Sequence, residues 1–144
     1  MVKFIQLGPF PMSNSMDQII LIDDSEIDLF IQKRFLEVFN FSKQLKTFVS
    51  ARTALDWLST TNGVEVPQLI FLDLNMPDID GFGFLLQFSQ LPATFRENIR
   101  IVILTGSNSR SDLDKALAFE NVVHFITKPL KQSDIEALKL KLAS

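Results

Sequence analysis

Leu69-Ile70-Phe71-Leu72-Asp73-Leu74-Asn75-Met76-Pro77-Asp78-Ile79-Asp80-Gly81 is a run of four apolar residues that stops on a carboxylate and continues into a loop containing Pro and Gly. A short apolar run bounded by turn signals reads as a strand buried on both faces. Pro77 and Gly81 then shape the loop ahead of a Phe- and Leu-rich helix predicted from about Phe82 to Gln90. The same arrangement occurs earlier, where Ile19-Ile20-Leu21-Ile22 ends on Asp23-Asp24. If the two runs are neighbouring strands of a parallel sheet, their carboxyl ends lie side by side, and Asp23, Asp24 and Asp73 converge where water reaches them. Three carboxylates so placed repel one another unless a cation joins them.

Outward from these runs the chain alternates strand and helix signals. A helix is predicted from Ile27 to Phe39, with Ile27, Phe30, Ile31, Phe35 and Val38 at helical spacing as the face towards the sheet. Asp28, Gln32, Lys33 and Glu37 fall largely on the other side. Lys46 to Val49 reads as the next strand, followed by a helix from Ala51 to about Ser59 with Leu55 and Leu58 inward, Trp57 packing and Ser50 as its N-cap. Leu91 to Asn98 is a connection to a fourth strand, Arg100 to Leu104, which ends on Thr105-Gly106-Ser107. A helix from about Ser111 to Phe119, a strand from Val122 to Ile126, the segment Thr127-Lys128-Pro129 and a last helix from Gln132 to Leu142 complete the order. Five β-α units in succession predict an α/β fold, a doubly wound five-stranded parallel sheet with helices on both faces.

The 144 residues suit one domain, and 47% hydrophobic content supplies one substantial core. With no cysteine, disulfides and thiolate metal sites are excluded, and a reducing, cytoplasmic setting is expected. Seventeen acidic residues against fourteen Lys and Arg leave no overall positive charge for a phosphate backbone, so nucleic acid is not an expected partner. No apolar run approaches the roughly 18 residues of a membrane helix, so no membrane is expected either. Residues 1–16 read as an N-terminal tail or leader, because the stretch holds Lys3, Gly8, Pro9 and Pro11 without the long apolar segment of a secretory signal; residues 17–144 read as the folded domain.

The carboxylates make chemical sense as a Mg2+ site, since Mg2+ takes oxygen ligands and commonly joins protein carboxylates to a phosphoryl group. Taken singly, Asp23-Asp24 reads as a helix-cap pair, Asp73 as a loop acid, Thr105 as a strand-end cap and Lys128 as a solvated cation. Taken together at four strand ends, they fit around one phosphoryl group. The Thr105 hydroxyl can donate to one oxygen, Lys128 can neutralise another, and a carboxylate oxygen of Asp73 can attack phosphorus to give an aspartyl phosphate.

With these residues the chain, from about Gln18 to Leu142, resembles the response-regulator receiver domains of two-component signalling, the family of the bacterial chemotaxis response regulator. The resemblance rests on Asp23-Asp24, on Asp73 through Pro77 with Asp80-Gly81, on Thr105-Gly106 and on Lys128-Pro129. It implies the flavodoxin-like strand order 2-1-3-4-5, for which the chemotaxis regulator is itself a standard example. It implies Asp73 as phosphoacceptor, Asp24, Asp73 and the Asn75 backbone carbonyl as Mg2+ ligands, and Asp23 acting mainly through metal-bound water. Thr105 and Lys128 would contact the phosphoryl group. Thr105 and Phe125 would form the switch, with Phe125 turning inward on activation, although Phe125 also reads as a simple core residue. The expected partners are a histidine kinase or histidine phosphotransfer protein and a downstream protein target bound across about Ser111 to Leu142.

The chain ends one predicted helix after Lys128, so the expectation is a stand-alone receiver that assists its own phosphorylation and dephosphorylation without being an enzyme. Asn75 and Ser107, each two residues after a site residue, flank the expected path of hydrolytic water. His124, the single histidine, reads as structural or partner-facing. One alternative is a relay intermediate that shuttles phosphate without a conformational output. Another is a haloacid-dehalogenase-type phosphatase, but there the acidic pair follows the Lys, and a second Asp stands where this chain has Asn75, so the candidate general acid is missing. A binding module of the same shape that needs no phosphorylation would lack a key group, and all are present.

Overall fold

The computed structural model describes residues 16–61 and 66–143, so the expected tail lies outside the described residues apart from Met16. The elements run β1 (Met16–Ile22), α1 (Glu26–Val38), β2 (Ser42–Phe48), α2 (Ala51–Thr60), β3 (Leu69–Leu72), α3 (Gly81–Phe88), α4 (Ala93–Arg96), β4 (Arg100–Thr105), α5 (Arg110–Leu117), β5 (Val122–Thr127) and α6 (Gln132–Ala143). All five strands are parallel, in the order β2-β1-β3-β4-β5, as expected.

The central strands are apolar on both faces because both faces are covered. Ile20, Ile22, Ile70, Leu72, Ile101 and Ile103 pack with Ala54 and Leu58 of α2, Phe84 and Phe88 of α3 and Ala116 of α5. On the other side Ile19, Leu21, Leu69, Phe71, Val102 and Leu104 pack with Leu29 and Leu36 of α1 and Ile135, Leu138 and Leu142 of α6. Polar side chains start the helices where backbone N–H groups lack partners: the Ser25, Ser50 and Ser109 hydroxyls and the Asp80 carboxylate accept from Asp28, Thr53, Asp112 and Gly83 respectively.

Three expectations need correction. β2 begins at Ser42 and not Lys46, because pairing with β1 in the register Met16↔Ser42 recruits the polar Ser-Lys-Gln stretch of an edge strand. The connection from Leu91 to Asn98 contains a single helical turn, α4.

The largest correction concerns α1. Ile27, Phe30, Ile31 and Val38, expected to face the sheet, are 74%, 70%, 57% and 62% exposed. The buried positions are Leu29, Gln32 and Leu36, with Phe35 partly covered. Their spacing is as helical as that of the exposed set, and tertiary packing chose between two stripes that the helical period alone does not distinguish. Gln32 faces inward because this end of α1 lies over Asp23, where a polar side chain has a hydrogen-bond partner.

Candidate functional site

Strand register delivers the acids. Ile22 pairs with Leu72, the Asp73 N–H donates to the Ile22 carbonyl at 3.0 Å, and the Asp23 N–H donates to the Phe48 carbonyl at 3.1 Å. Asp23 and Asp73 therefore leave adjacent strand ends in step. One carboxylate oxygen from each of Asp23, Asp24 and Asp73 falls within 4.8 Å of the others. Asp23 and Asp73 are 1% and 5% exposed, whereas Asp24 lies exposed on the lip.

Local contacts hold the two buried carboxylates. Asp23 accepts from the Ser25 N–H at 2.9 Å and from Gln32 Nε2 at 3.3 Å, which ties it to the start of α1. Asp73 accepts from the Asn75 N–H at 3.3 Å. Behind Asp73, a Cβ on Gly81 would lie 2.6 Å from Leu74 Cα and 2.7 Å from the Asp73 carbonyl oxygen, so only glycine lets α3 start this close to the loop that follows β3.

The other two groups arrive from β4 and β5. Thr105 pairs with Thr127, and the Lys128 N–H donates to the Thr105 carbonyl at 2.7 Å, which fixes the backbone from which the Lys128 side chain reaches across. Among the described residues the fully buried Thr105 hydroxyl accepts only long bonds, 3.5 Å from Asn75 Nδ2 and 3.4 Å from the Ser107 N–H. Lys128 Nζ lies 2.6 Å from Asp23, 2.8 Å from Asp28 and 3.5 Å from Asp73. Burial by itself would lower the Lys128 pKa, but hydrogen bonds to Asp23 and Asp28 and the charges of Asp73 and Asp23 outweigh it and hold the ammonium above its ordinary value.

Asp23, Asp24, Asp73, Thr105 and Lys128 thus meet at one end of the sheet, with Asn75 at the edge. Ser107 is turned towards α5, where its hydroxyl donates to Asp112 at 2.7 Å. Phe125, opposite Ile103, is half-buried against the face carrying α2, α3 and α5. His124 is half-buried on the same strand; burial and the charge of Lys141 push its pKa down, with Asp134 opposing. The sequence reading missed Asp28 and Gln32. Their signal was an i, i+4 polar pair on the helix that follows the acidic pair, and assigning the wrong face to α1 hid it.

The donor set fits a metal on this structure's own terms. Three carboxylates, Asp23, Asp28 and Asp73, surround one ammonium, the triad of Asp23, Asp24 and Asp73 offers only oxygen, and Asp24 opens towards solvent where metal-bound water could remain, which suits a hard divalent cation such as Mg2+.

Residues 19–139 match the family described as "Response regulator receiver domain". The chain belongs to that family. It is 31% identical over 133 residues to the two-component response regulator ARR17 of Arabidopsis thaliana, covering 86% of this chain and 83% of that protein. A response regulator receiver protein from Dyadobacter fermentans superposes with a TM-score of 0.77 at 33% identity, covering 88% and 98% of the two chains. A two-component response regulator from Cytophaga hutchinsonii superposes with a TM-score of 0.82 at 25% identity, covering 90% and 98%. The chain is therefore a receiver domain of two-component signalling, a family whose members partner with histidine kinases or phosphotransfer proteins. Among the described residues no helix is long and apolar enough to cross a membrane.

Proposed function

We propose that this receiver takes a phosphoryl group from a phosphohistidine onto Asp73, with Mg2+ held by Asp23, Asp24, Asp73 and the Asn75 carbonyl, and that the modified protein changes its affinity for a partner. The observation that carries this reading is the meeting of a buried Asp73 with an ammonium, a loosely held hydroxyl and two further carboxylates at the strand ends. A carboxylate oxygen of Asp73 attacks phosphorus, the P–N bond breaks, and the imidazole leaves with the bonding electron pair. Lys128 neutralises one phosphoryl oxygen and the Thr105 O–H donates to another. When bound, Mg2+ supplies the remaining charge neutralisation. The surroundings of Gly106 are open, since a Cβ there would meet nothing within 4 Å.

Asp73 is 5% exposed, so a protein donor must cover the mouth to bring phosphorus to it. Ile27, Phe30 and Ile31 on the outer face of α1 begin three residues beyond Asp24 and offer apolar contact area there. The downstream target is assigned to α5, β5 and α6, about Ser111 to Leu142. Shuttling of phosphate without a conformational output is the second reading, favoured by this apolar face beside the mouth. Family membership sets aside the phosphatase.

The test is treatment with acetyl phosphate and Mg2+ followed by intact-mass measurement. One phosphoryl adduct is expected, absent with EDTA and absent in Asp73→Asn. The same adduct in Asp73→Asn, mapped to any site other than a neighbouring hydroxyl, would overturn the assignment.

A further inference from the structure

Asp28 belongs neither to the triad of acids that could hold a metal nor to the residues that would touch a phosphoryl group. Its carboxylate nevertheless lies 2.8 Å from Lys128 Nζ, closer than Asp73 at 3.5 Å. An ammonium has three N–H donors. Two of them form charge-assisted bonds of ordinary length to Asp23 and Asp28, and the contact to Asp73 is too long to match them. The ammonium is held between the end of β1 and the first turn of α1.

The two short partners differ in what a cation does to them. A divalent ion among Asp23, Asp24 and Asp73 neutralises Asp23 and repels Lys128, weakening that hold on the ammonium. Asp28, outside the triad, keeps its charge. It is also well fixed, because its N–H donates to the Ser25 hydroxyl that caps α1, so its backbone sits in the first helical turn. A carboxylate in that turn also stabilises the helix through the dipole. That bland role would account for an acid here, but not for its short bond to Lys128.

We propose that Asp28 is a positioning residue that competes with the phosphoryl group for Lys128, setting how strongly the phosphorylated state is held. The inference rests on the reading of Asp73 as phosphoacceptor. In the resting protein Lys128 is bonded to Asp23 and Asp28; engaging a phosphoryl oxygen on Asp73 requires giving up Asp28 at least in part. Asp28 thereby opposes the modified state, and weakening it favours that state.

The test uses beryllofluoride, a phosphoryl mimic, at saturating Mg2+, with affinity read from NMR titration of the full chain. Asp28→Asn should bind about fivefold more tightly, the scale of one partly exposed ion pair, and Asp28→Glu, which keeps the charge, should restore much of the wild-type affinity. In a Lys128→Gln background the same Asp28→Asn change should have no effect, because its route through the ammonium is gone. The Lys128 Cε resonance should shift in Asp28→Asn before any beryllofluoride is added, which a helix-dipole role would not cause. Unchanged or weaker affinity in a folded Asp28→Asn protein overturns the proposal, as does a gain that persists without Lys128. If the wild-type chain binds no beryllofluoride and gains no adduct, the phosphoacceptor reading fails and the competition with it. Normal wild-type binding with no response in Asp28→Asn removes the competition alone.

Discussion

Among the described residues Lys128 is the one cation in contact with Asp23, Asp28 and Asp73, so at the residue scale the balance of charge decides what each substitution does. Lys128→Met leaves Asp23, 1% exposed, with the Ser25 N–H and Gln32 as its remaining partners among the described residues and should cost about 3 kcal/mol in urea unfolding without Mg2+. Added Mg2+ should recover part of that loss by binding the folded state. Because the Lys128 pKa is raised, its stabilisation is complete below its ordinary 10.5 and fades only as pH climbs through the higher folded-state value. Asp24→Asn acts in the opposite sense, removing repulsion among the acids. It should leave the metal-free protein as stable or up to about 1 kcal/mol more stable, while calorimetry shows Mg2+ affinity down about tenfold or more. His124 supplies a pH dependence of its own. Its imidazolium is disfavoured in the fold, so the unfolded chain takes up the proton first, and stability should fall as pH drops below 6.5 towards the lower folded-state pKa. Thermal melts of His124→Gln should show a shallower decline over that window, and an identical slope would count against this role.

At the element scale α1 separates what the sequence made legible from what it did not. The strands could be read because a strand covered on both faces needs no choice of face, and Ile19 to Ile22, Leu69 to Leu72 and Ile101 to Leu104 are buried throughout. A helix has to choose, and α1 carries two apolar stripes. The buried one contains Gln32 and begins beside Asp28, residues whose polarity reads as solvent-facing until Asp23 and Lys128 are placed above them. Substitutions can check the choice of face. Leu36→Ala, at 1% exposure, should lose about 2–5 kcal/mol, whereas Phe30→Gln, at 70%, should stay within about 0.5 kcal/mol of wild type by denaturant midpoint. If the exposed stripe receives the phosphohistidine protein, Phe30→Glu should slow phosphotransfer from that donor and leave modification by acetyl phosphate unchanged. The start of α3 makes a parallel case: Gly81→Ala drives a methyl into the Leu74 backbone, and a loss of about 1–3 kcal/mol with slower Asp73 modification is expected.

At the scale of the whole molecule, five parallel strands bring to one end residues as distant as Asp23 and Lys128. The acids, Thr105 and Lys128 were legible because each lies within two residues of the end of an apolar run, while the hold of Asp28 in α1 on Lys128 depends on packing that no local pattern encodes. The same topology sets up the final prediction. The backbones of Thr105 and Lys128 are joined, Thr105 pairs with Thr127, and Phe125 lies opposite Ile103 two residues earlier on the β5 edge. Among the described residues the Thr105 hydroxyl is held only by bonds of 3.4 and 3.5 Å, so a phosphoryl oxygen on Asp73 can capture it with little to overcome. Moving that hydroxyl towards Asp73 opens space on the side of β5, and Phe125, half-buried, can turn into it. A partner that prefers the inward Phe125 then shifts the population only by the ratio of its affinities for the two states. NMR with beryllofluoride and Mg2+ should therefore show shifts spreading from Asp23, Asp24, Asp73 and Lys128 through Phe125 into α5 and α6. Thr105→Ala should keep the shifts around the acids and lose those at Phe125. Shifts confined to the acids in the wild-type chain would instead assign it to phosphate shuttling, because the charge event would end at the strand ends without reaching the surface a target reads.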